Sequence, residues 1–351
     1  IYMFLAKRIM TILTMKSNYI KRLKKEIIQQ HNHALLSGEL FFAIFFIFII
    51  WLFFILSPGQ KQQVKIGSSY MTMNNSFYPV INEQVENYVN NHHGKLYNRD
   101  PALNVNKQVE EINSFIHKGV SAIIINPVDG NSQKLENALH KAKQNGIKVV
   151  VVDSQTKSDR YIDCTILSNN YRAGQLCAKN LLKRKKHANI LLLEHYSALS
   201  ANNRIQGFTD TIKQAKNAHN YHIVGKINTY GQSEITLPLV EKYLKTGQKF
   251  DTVMALNDQA AVGALAAINE AKIKRHISVY GVDGSENMKK LLGVNPNATA
   301  TAAQSPINLG KTAVKTAYKL IDGKKVSKKI TLPVFLITNK NINKYNAVGW
   351  Q

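Results

Sequence analysis

Short apolar runs that alternate with helical patterns constrain the fold of this chain more than any other feature. The run AIIIN at 122–126 and the run KVVVVD at 148–153 are apolar at almost every position, which is typical of parallel strands buried on both faces. Such runs predict strands at 64–70, 122–126, 148–153, 189–194, 252–256 and 278–282. Their alternation with helical stretches predicts an α/β protein with open parallel sheets and right-handed crossovers.

The segments between these runs space their apolar residues as helices do. They predict helices at 79–91, 107–118, 132–145 and 171–182. Gly94, Gly119 and Gly146 follow helical stretches, as C-terminal caps do. Roughly 290 residues follow position 63, which is large for one sheet, so we expect two α/β lobes.

The unbroken apolar run FFAIFFIFIIWLFFIL at 41–56 contains seven of the thirteen phenylalanines. Sixteen helical residues extend about 24 Å, slightly less than the ~30 Å hydrocarbon core of a bilayer. A cleaved signal peptide is the alternative. However, residues 55–58 (ILSP) provide no small-x-small cleavage site. A lipoprotein requires a cysteine directly after the run, whereas Cys164 and Cys177 lie far downstream. We therefore expect a transmembrane anchor or uncleaved signal at 41–56.

The 351 residues carry a formal net charge of +24, a balance that suggests nucleic acid or an anionic surface as a partner. Residues 1–40 hold seven Lys and Arg against two Glu. This basic flank is expected to lie in the cytoplasm and the residues after the anchor outside the cell, in a single-pass membrane protein. The remaining +19 is spread over the helices and loops of the outer part and is not gathered on one helix that could read a DNA groove. We therefore expect no nucleic-acid partner.

Several kinds of enzyme and metal site are excluded by missing motifs. The sequence has no GxxxxGK[ST] and no GxSxG, which argues against a nucleotide hydrolase and an α/β-hydrolase. Its eleven histidines and two cysteines show no zinc-binding spacing. Cys164 and Cys177 are expected to be buried thiols. We expect no catalytic residue, no metal and no cofactor.

Seven motifs occur in an order that is similar to one family of receptors. They are MTMNNSFY at 71–78, INPVDG at 125–130, GIKVVVVDS at 146–154, NNRIQGF at 202–208, ALNDQAAVGAL at 255–265, VYGVDGS at 279–285 and ATAAQSP at 300–306. Together they resemble the ribose-binding class of periplasmic-type sugar receptors, the type I solute-binding proteins, from about residue 64 to 343. The resemblance implies two Rossmann-like lobes with parallel sheets and a three-crossover hinge, in a receptor that is not an enzyme.

The resemblance also implies which residues contact a sugar. A sugar needs aromatic rings for its C–H faces, and hydrogen-bond donors and acceptors for its rim of hydroxyls. The implied ligand-binding residues are Asn75, Phe77, Tyr78, Asp153, Arg204, Asn257, Asp283 and Gln304. Each of them alone also has an ordinary explanation, as a core aromatic, a helix cap or a surface ion pair.

Three further positions complete the implied pocket, namely Met71, Ser154 and Tyr230. Met71 stands where the family commonly has a small hydroxyl residue, and Ser154 where it often has arginine. These changes alter the volume and the hydrogen bonding of the pocket, so we expect a monosaccharide or related small polar ligand but not ribose in particular. Tyr230 corresponds to a stacking aromatic across a one-residue gap.

The resemblance divides the outer part into an N-terminal lobe of 64–168 plus 305–332 and a C-terminal lobe of 169–304 plus 333–345. Crossings between the lobes are expected near 168–170, near Asp283 and near 304–305. Sugar would favour closure of the lobes, and the closed receptor would present it to an ABC permease or a membrane histidine kinase.

Two other functions are weighed against this hypothesis. Lac-repressor-type transcription regulators share the fold and are often basic, but residues 1–40 contain no helix-turn-helix pattern. A glycosidase could use Asp153 and Asp283 as its pair of carboxyl groups. The resemblance favours sugar acceptors over catalysis at both positions.

Overall fold

The structure is a computed structural model. It describes residues 15–17, 19–21, 44–52, 63–346 and 348–350. The chain divides into two compact units, residues 1–62 and residues 63–351.

The described residues of the first unit are helical. The predicted basic flank at 1–40 lies mostly outside the described residues, and the predicted anchor at 41–56 is described only at 44–52. Within the described ranges, no helix has both the length and the apolar character that crossing a membrane requires.

The second unit contains twelve strands and nine α-helices among its described residues. The strands are β1 (Lys65–Ser69), β2 (Lys95–Arg99), β3 (Ala122–Ile125), β4 (Lys148–Val152), β5 (Cys164–Ser168), β6 (Ala188–Glu194), β7 (Tyr221–Asn228), β8 (Thr252–Ala255), β9 (Ser278–Asp283), β10 (Ala298–Ala303), β11 (Lys329–Leu332) and β12 (Phe335–Thr338). The helices are α1 (Phe77–Asn91), α2 (Val105–His117), α3 (Gln133–Gln144), α4 (Asn170–Arg184), α5 (Leu199–Lys213), α6 (Ser233–Lys245), α7 (Asp258–Glu270), α8 (Glu286–Val294) and α9 (Pro306–Ile321).

These strands form two six-stranded sheets of equivalent order. The first sheet has the order β11-β5-β4-β3-β1-β2 and is parallel throughout. The second has the order β12-β10-β9-β8-β6-β7 and is parallel except for the antiparallel pairing of β12 with β10. Helices α1, α2, α3 and α9 pack with the first sheet and form the first lobe, while α4 to α8 form the second lobe with the other sheet. The predicted α/β fold with two lobes is therefore confirmed.

All six predicted strands are present, as β1, β3, β4, β6, β8 and β9, and the four predicted helices are α1 to α4. Six strands were not predicted from the sequence. Strands β2, β7 and β11 are sheet edges with exposed positions that interrupt the apolar run typical of a central strand. The edge strand β12 (FLIT) has a short apolar run, which was not assigned as a strand. Strands β5 (CTILS) and β10 (ATATAA) are fully buried, but small and hydroxyl-bearing residues weaken their apolar signal.

The chain passes between the lobes three times, at β5–α4, at β10–α9 and at β11–β12. The crossings predicted near 168–170 and 304–305 coincide with the first two. The crossing predicted near Asp283 is wrong, because Asp283 ends β9 and the next strand, β10, pairs with β9 in the same sheet. The third crossing lies instead at 333–334, between β11 and β12.

Aliphatic side chains on both faces of the central strands hold each sheet to its helices. The four valines at 149–152 on β4 are completely inaccessible to solvent, and each contributes roughly 1.5–3 kcal/mol through burial. Cys164 on β5 and Cys177 on α4 are buried free thiols, as predicted. Burial raises the pKa of Cys164 to about 11, which keeps this thiol protonated and unreactive.

Candidate functional site

Loops that follow strands of both sheets line one cavity between the lobes. Open α/β sheets bind ligands at the carboxyl ends of their strands, because the loops there supply polar side chains. The residues that line the cavity are Met71, Thr72, Asn75, Phe77, Tyr78, Asp153, His195, Ala198, Ser200, Ala201, Arg204, Tyr230, Gly231, Gln232, Leu256, Asn257, Asp283 and Gln304.

Ten of the eleven predicted ligand-binding residues line this cavity. They are Met71, Asn75, Phe77, Tyr78, Asp153, Arg204, Tyr230, Asn257, Asp283 and Gln304. Ser154 is buried but does not line the cavity, and its Oγ accepts a 3.3 Å hydrogen bond from the backbone N–H of Ser200 on α5. This bond joins a loop of the first lobe to a helix of the second. The structure thus brings ten residues together, and their contact with a ligand stays a prediction.

Arg204 on α5 reaches groups of both lobes from the interior of the cavity. Its Nε donates to Asn170 Oδ1 at 2.8 Å and its Nη1 to the carbonyl of Leu256 at 2.9 Å. Nη1 also lies 3.5 Å from Asp283 Oδ1, while Nη2 lies 3.8 Å from Asp153 Oδ1. Asp153 belongs to the first lobe and Asp283 to the second. The guanidinium therefore attracts the two lobes toward each other.

Two glycines allow helix α5 to carry Arg204 into this position. A Cβ on Gly174 of α4 would lie 1.9 Å from the carbonyl oxygen of Arg204. A Cβ on Gly207 of α5 would lie 2.0 Å from the carbonyl oxygen of Tyr171. Because no side chain fits at either contact, the backbones of α4 and α5 approach closely only with glycine at both positions.

The carboxyl groups of Asp153 and Asp283 are both buried. Burial raises the pKa of Asp283 well above its usual value, against the opposing charge of Arg204, and the neighbouring Asp258 and Asp153 raise it further. Burial also raises the pKa of Asp153, which Arg204 and a 3.2 Å hydrogen bond from the Tyr78 hydroxyl partly offset. A ligand that donates hydrogen bonds to these carboxylates would stabilise their charged forms.

The backbone is strained at three residues that line the cavity. The φ angles are +67° at Asp153, +136° at Asp283 and +53° at Tyr230. Positive φ is uncommon for residues with a side chain, and it persists where the surrounding structure enforces it, often at ligand sites. Such strain marks this cavity as a site built to aim particular side chains.

Three residues that line the cavity have a buried acceptor oxygen without a hydrogen-bond donor among the described residues. Gln304 Nε2 donates to Asp283 Oδ1 at 2.7 Å, which leaves Gln304 Oε1 without a donor among the described residues. Asp153 Oδ1 and Gln232 Oε1 are also buried without a hydrogen-bond donor, although Arg204 Nη2 lies 3.8 Å from Asp153 Oδ1. Each unmatched buried group costs about 1–3 kcal/mol. The cavity is therefore matched to a ligand that supplies donors.

Aromatic rings from both lobes border the cavity. In the first lobe, Phe77 packs edge-on against Tyr78, with ring centroids 5.7 Å apart, and Tyr78 stacks on Tyr70 at 6.0 Å. In the second lobe, Tyr230 packs against the ring of His195 at 5.5 Å. Rings of this kind can cover the C–H faces of a ligand while polar groups bind its edge.

Four polar residues that line the cavity were not predicted from the sequence, namely Thr72, His195, Ser200 and Gln232. His195 directly follows β6, and burial lowers its pKa to about 4, so the imidazole is neutral near pH 7. One ring nitrogen, Nε2, lies 3.1 Å from the hydroxyl oxygen of Ser197. His195 directly follows the predicted strand at 189–194, so its position at a strand end could have indicated it. Gln232 follows β7, a strand that was not predicted, so no comparable pattern indicated it.

Two of the predicted asparagines also hold local structure together. Asn257 caps α7, since its Oδ1 accepts from the backbone N–H of Ala260 at 2.9 Å. Its Nδ2 donates to the carbonyl of Gly231 at 3.0 Å. Asn75 Oδ1 accepts from the backbone N–H of Phe77 at 3.0 Å. These residues therefore position the loops of the cavity in addition to lining it.

A metal ion has no suitable set of ligands in the described part of the chain. No group of three or more His, Cys, Asp or Glu residues is arranged there to hold one. Asp153 and Asp283 line the same cavity, but each has the positive charge of Arg204 within 4 Å. That charge would repel a cation between them.

Comparison with known proteins relates this architecture to one family. Residues 66–325 match the family model described as "Periplasmic binding protein domain". The chain is 30% identical over 286 residues to the ribose import binding protein of Bacillus subtilis, covering 81% of this chain and 90% of that protein. It is 25% identical over 289 residues to a putative rhizopine-binding protein of Rhizobium meliloti, covering 80% and 92%.

Solved structures agree with this relationship. A solute-binding protein from Bacillus halodurans with bound myo-inositol superposes with a TM-score of 0.75 at 21% identity, covering 82% of this chain and 99% of that one. The arabinose-binding component of an ABC transporter from Shewanella, bound to L-arabinofuranose, gives a TM-score of 0.73 at 26% identity, covering 80% and 94%. The chain therefore belongs to the periplasmic binding protein family and has the two-lobe α/β fold of its ribose-binding-protein-like sugar receptors.

Proposed function

We propose that the protein is a receptor that binds a monosaccharide or related polyol between its lobes and delivers it to an ABC permease. The observation that carries this proposal is the set of buried acceptor oxygens of Asp153, Gln232 and Gln304 around one cavity, which have no hydrogen-bond donor among the described residues. Sugar hydroxyls are donors that such acceptors need. The curated relatives named for ribose import support both the ligand class and the transport role.

The contacts of the cavity fit a sugar on its faces as well as on its rim. Phe77 and Tyr78 lie at the start of α1, where their rings can stack on the C–H faces of a pyranose or furanose. Arg204, Asp153 and Asp283 supply charged donors and acceptors for hydroxyl groups, and hydrogen bonds to charged groups are the stronger ones.

The ligand we propose carries no negative charge. The cavity holds the carboxyls of Asp153 and Asp283 against a single guanidinium, that of Arg204. His195 adds no charge near pH 7. An anionic sugar would therefore meet a buried site with more acid than base, and like charges in a buried site repel strongly.

Binding rather than catalysis fits the electrostatics of the two aspartates. A glycosidase needs one carboxyl that donates a proton and a second that acts as base or nucleophile. Arg204 lies within 3.8 Å of Asp153 and 3.5 Å of Asp283. The two carboxyls therefore share one positive charge and do not have the different environments that a proton donor and a base require. We propose that the protein is not an enzyme.

A thermal-shift screen of the full chain in detergent tests this function. The panel is D-ribose, D-xylose, L-arabinose, D-allose, D-glucose and myo-inositol, with D-glucuronate as the anionic counterpart of glucose. We expect at least one neutral member to raise the melting temperature, since a ligand at 100 times its Kd adds about 2.7 kcal/mol to the free energy of unfolding. Glucuronate should give no shift. Stabilisation by glucuronate alone, or by no member of the panel, would contradict the proposal.

The lobes that close on the ligand are proposed to be 64–168 plus 305–332 and 169–304 plus 333–345. Direct hydrogen bonds already span them. Asn74 Nδ2 donates to Glu234 Oε1 at 2.6 Å, and the backbone N–H of Gly130 donates to the carbonyl of Ser197 at 3.3 Å. Bonds of this kind form only when the lobes approach, so a ligand that contacts both lobes would favour the closed state.

We also propose that the apolar run at 41–56 retains this receptor at the cell membrane, with the binding domain outside. The support is the sequence of the run, and the nine described residues at 44–52 are helical and entirely apolar. After cell lysis and a carbonate wash, the full chain should sediment with membranes, and a variant starting at residue 58 should not. Recovery of the full chain in the wash would disprove retention.

A further inference from the structure

Lys289 on α8 is buried, yet its ammonium group forms no salt bridge among the described residues. Only 1% of the residue is exposed, and burial lowers the pKa of this lysine. Its Nζ donates instead to the backbone carbonyls of Asn346 and Gly349, the latter at 2.8 Å. A buried charge that is satisfied by carbonyl oxygens is costly. Because the cost of burying this charge is offset mainly by the two carbonyls, we infer that Lys289 serves to hold them against α8.

The carbonyls belong to a segment that we call the strap, the described residues of 345–350. A second residue of α8 holds it, since Glu286 Oε2 accepts from the backbone N–H of Gly349 at 2.9 Å. At its start, Tyr345 stacks on Phe335 of β12 with centroids 5.0 Å apart and planes 14° apart. All of these anchoring contacts lie on the second lobe.

The far end of the strap contacts the other lobe. The ring of Trp350 packs edge-on against Phe77, with centroids 5.4 Å apart and planes 78° apart. Phe77 begins α1 of the first lobe, is only 3% exposed, and lines the cavity. The strap is therefore attached to the second lobe and bears on an aromatic residue of the first lobe. The contact between Trp350 and Phe77 therefore joins the two lobes.

We propose that the strap is a latch on the closed state and that Trp350 is a positioning residue for the Phe77 ring. Trp350 stabilises the closed state because it packs against Phe77 of the other lobe. The same contact fixes the face that the Phe77 ring presents to a ligand in the cavity. Lys289 and Glu286 hold the strap in the orientation that makes this contact. The effect on affinity rests on the proposed sugar binding, whereas the docking of the strap does not.

The docking of the strap is tested without any ligand. In the full chain carrying Trp51→Phe, Trp350 is the single tryptophan, so its emission and its quenching by acrylamide report on the strap alone. Lys289→Met should release the strap, shift the emission to longer wavelength and increase quenching. Lys274→Met is the matched control, because Lys274 is an exposed lysine of the second lobe that lies outside α8 and the strap. Equal quenching in the two variants and the parent would overturn the proposal.

The latch is tested by sugar affinity. With the panel member that stabilises the parent most, Trp350→Ala should raise Kd about 2- to 12-fold, the range expected for loss of one aromatic pair. The increase should lie mainly in the dissociation rate, and Trp350→Phe should restore most of the affinity. An unchanged Kd in Trp350→Ala would overturn the latch. If no panel member binds even the parent, the proposed function fails, while the quenching experiment still decides whether the strap is docked.

Discussion

Replacing Arg204 with methionine should weaken sugar binding by about 30- to 5000-fold. The guanidinium lies within 3.8 Å of Asp153 and 3.5 Å of Asp283 and donates to Asn170 and Leu256. Removing one partner of a buried charge pair typically costs about 2–5 kcal/mol. In this cavity the loss affects two carboxyls at once, one in each lobe.

The same substitution should also destabilise the ligand-free protein, and by an amount that depends on pH. Without Arg204, the buried carboxyls of Asp153 and Asp283 have no compensating charge, so their pKa values should rise further. Near pH 7 the free energy of unfolding should fall by about 3 kcal/mol. As the pH is lowered toward 5, the carboxyls become protonated and part of this loss should be recovered.

Titration calorimetry and urea unfolding at two pH values measure both effects. Arg172→Met is the control for loss of one positive charge, because Arg172 is exposed on the neighbouring helix α4. Arg204→Lys keeps the charge but loses the planar fork of donors, so an intermediate affinity is expected. An Arg204→Met protein that binds sugar as tightly as the Arg172→Met protein would remove Arg204 from the site.

The central strands and the composition of the cavity could be predicted from sequence because they leave local patterns. A strand buried on both faces, such as β4, must be apolar along its length, and a polar residue at its end, such as Asp153, therefore stands out. Edge strands such as β2 and β7 face solvent on part of their surface, so their sequences resemble loops.

Other features depend on pairings that sequence spacing does not reveal. Ser154 is next to Asp153 in sequence, but it contacts the Ser200 backbone of the other lobe and does not line the cavity. The third crossing at 333–334 could not be located because β11 alternates exposed and half-buried residues, and the short apolar run of β12 does not show which sheet it joins. The partnership of Lys289 with the strap joins residues about sixty positions apart. Only the folded structure shows why that lysine is buried.

Replacing Asp283 with asparagine should separate binding from stability. The carboxylate accepts from Gln304 Nε2 at 2.7 Å and lies 3.5 Å from Arg204 Nη1. Its loss should weaken sugar binding by roughly 10- to 150-fold, the equivalent of one charged hydrogen bond of about 1.5–3 kcal/mol. At 100 times the parent's Kd, the stabilisation by the best panel sugar should therefore fall from about 2.7 kcal/mol to about 0.3–1.4 kcal/mol, with a correspondingly smaller melting-temperature shift.

The ligand-free Asp283→Asn protein, in contrast, should be at least as stable as the parent at pH 7. Burial raises the pKa of Asp283 above its unfolded value, so the folded state binds a proton more tightly than the unfolded state. The stability that this carboxyl contributes is present at pH values below the unfolded pKa and is lost as pH rises through the folded pKa. Asparagine does not titrate. The stability of the variant relative to the parent should therefore increase from pH 4 to pH 7.

Thermal unfolding across this pH range, with and without the sugar, distinguishes the two effects. Asp159→Asn serves as the control, because Asp159 is an exposed aspartate outside the cavity. If a buried, hydrogen-bonded carboxyl serves only folding, its replacement should destabilise the ligand-free protein. If the carboxyl serves binding, it can be unfavourable in the ligand-free protein, and its replacement then costs no stability. If Asp283→Asn lowers the ligand-free melting temperature and leaves the sugar-induced shift intact, Asp283 serves folding and not binding.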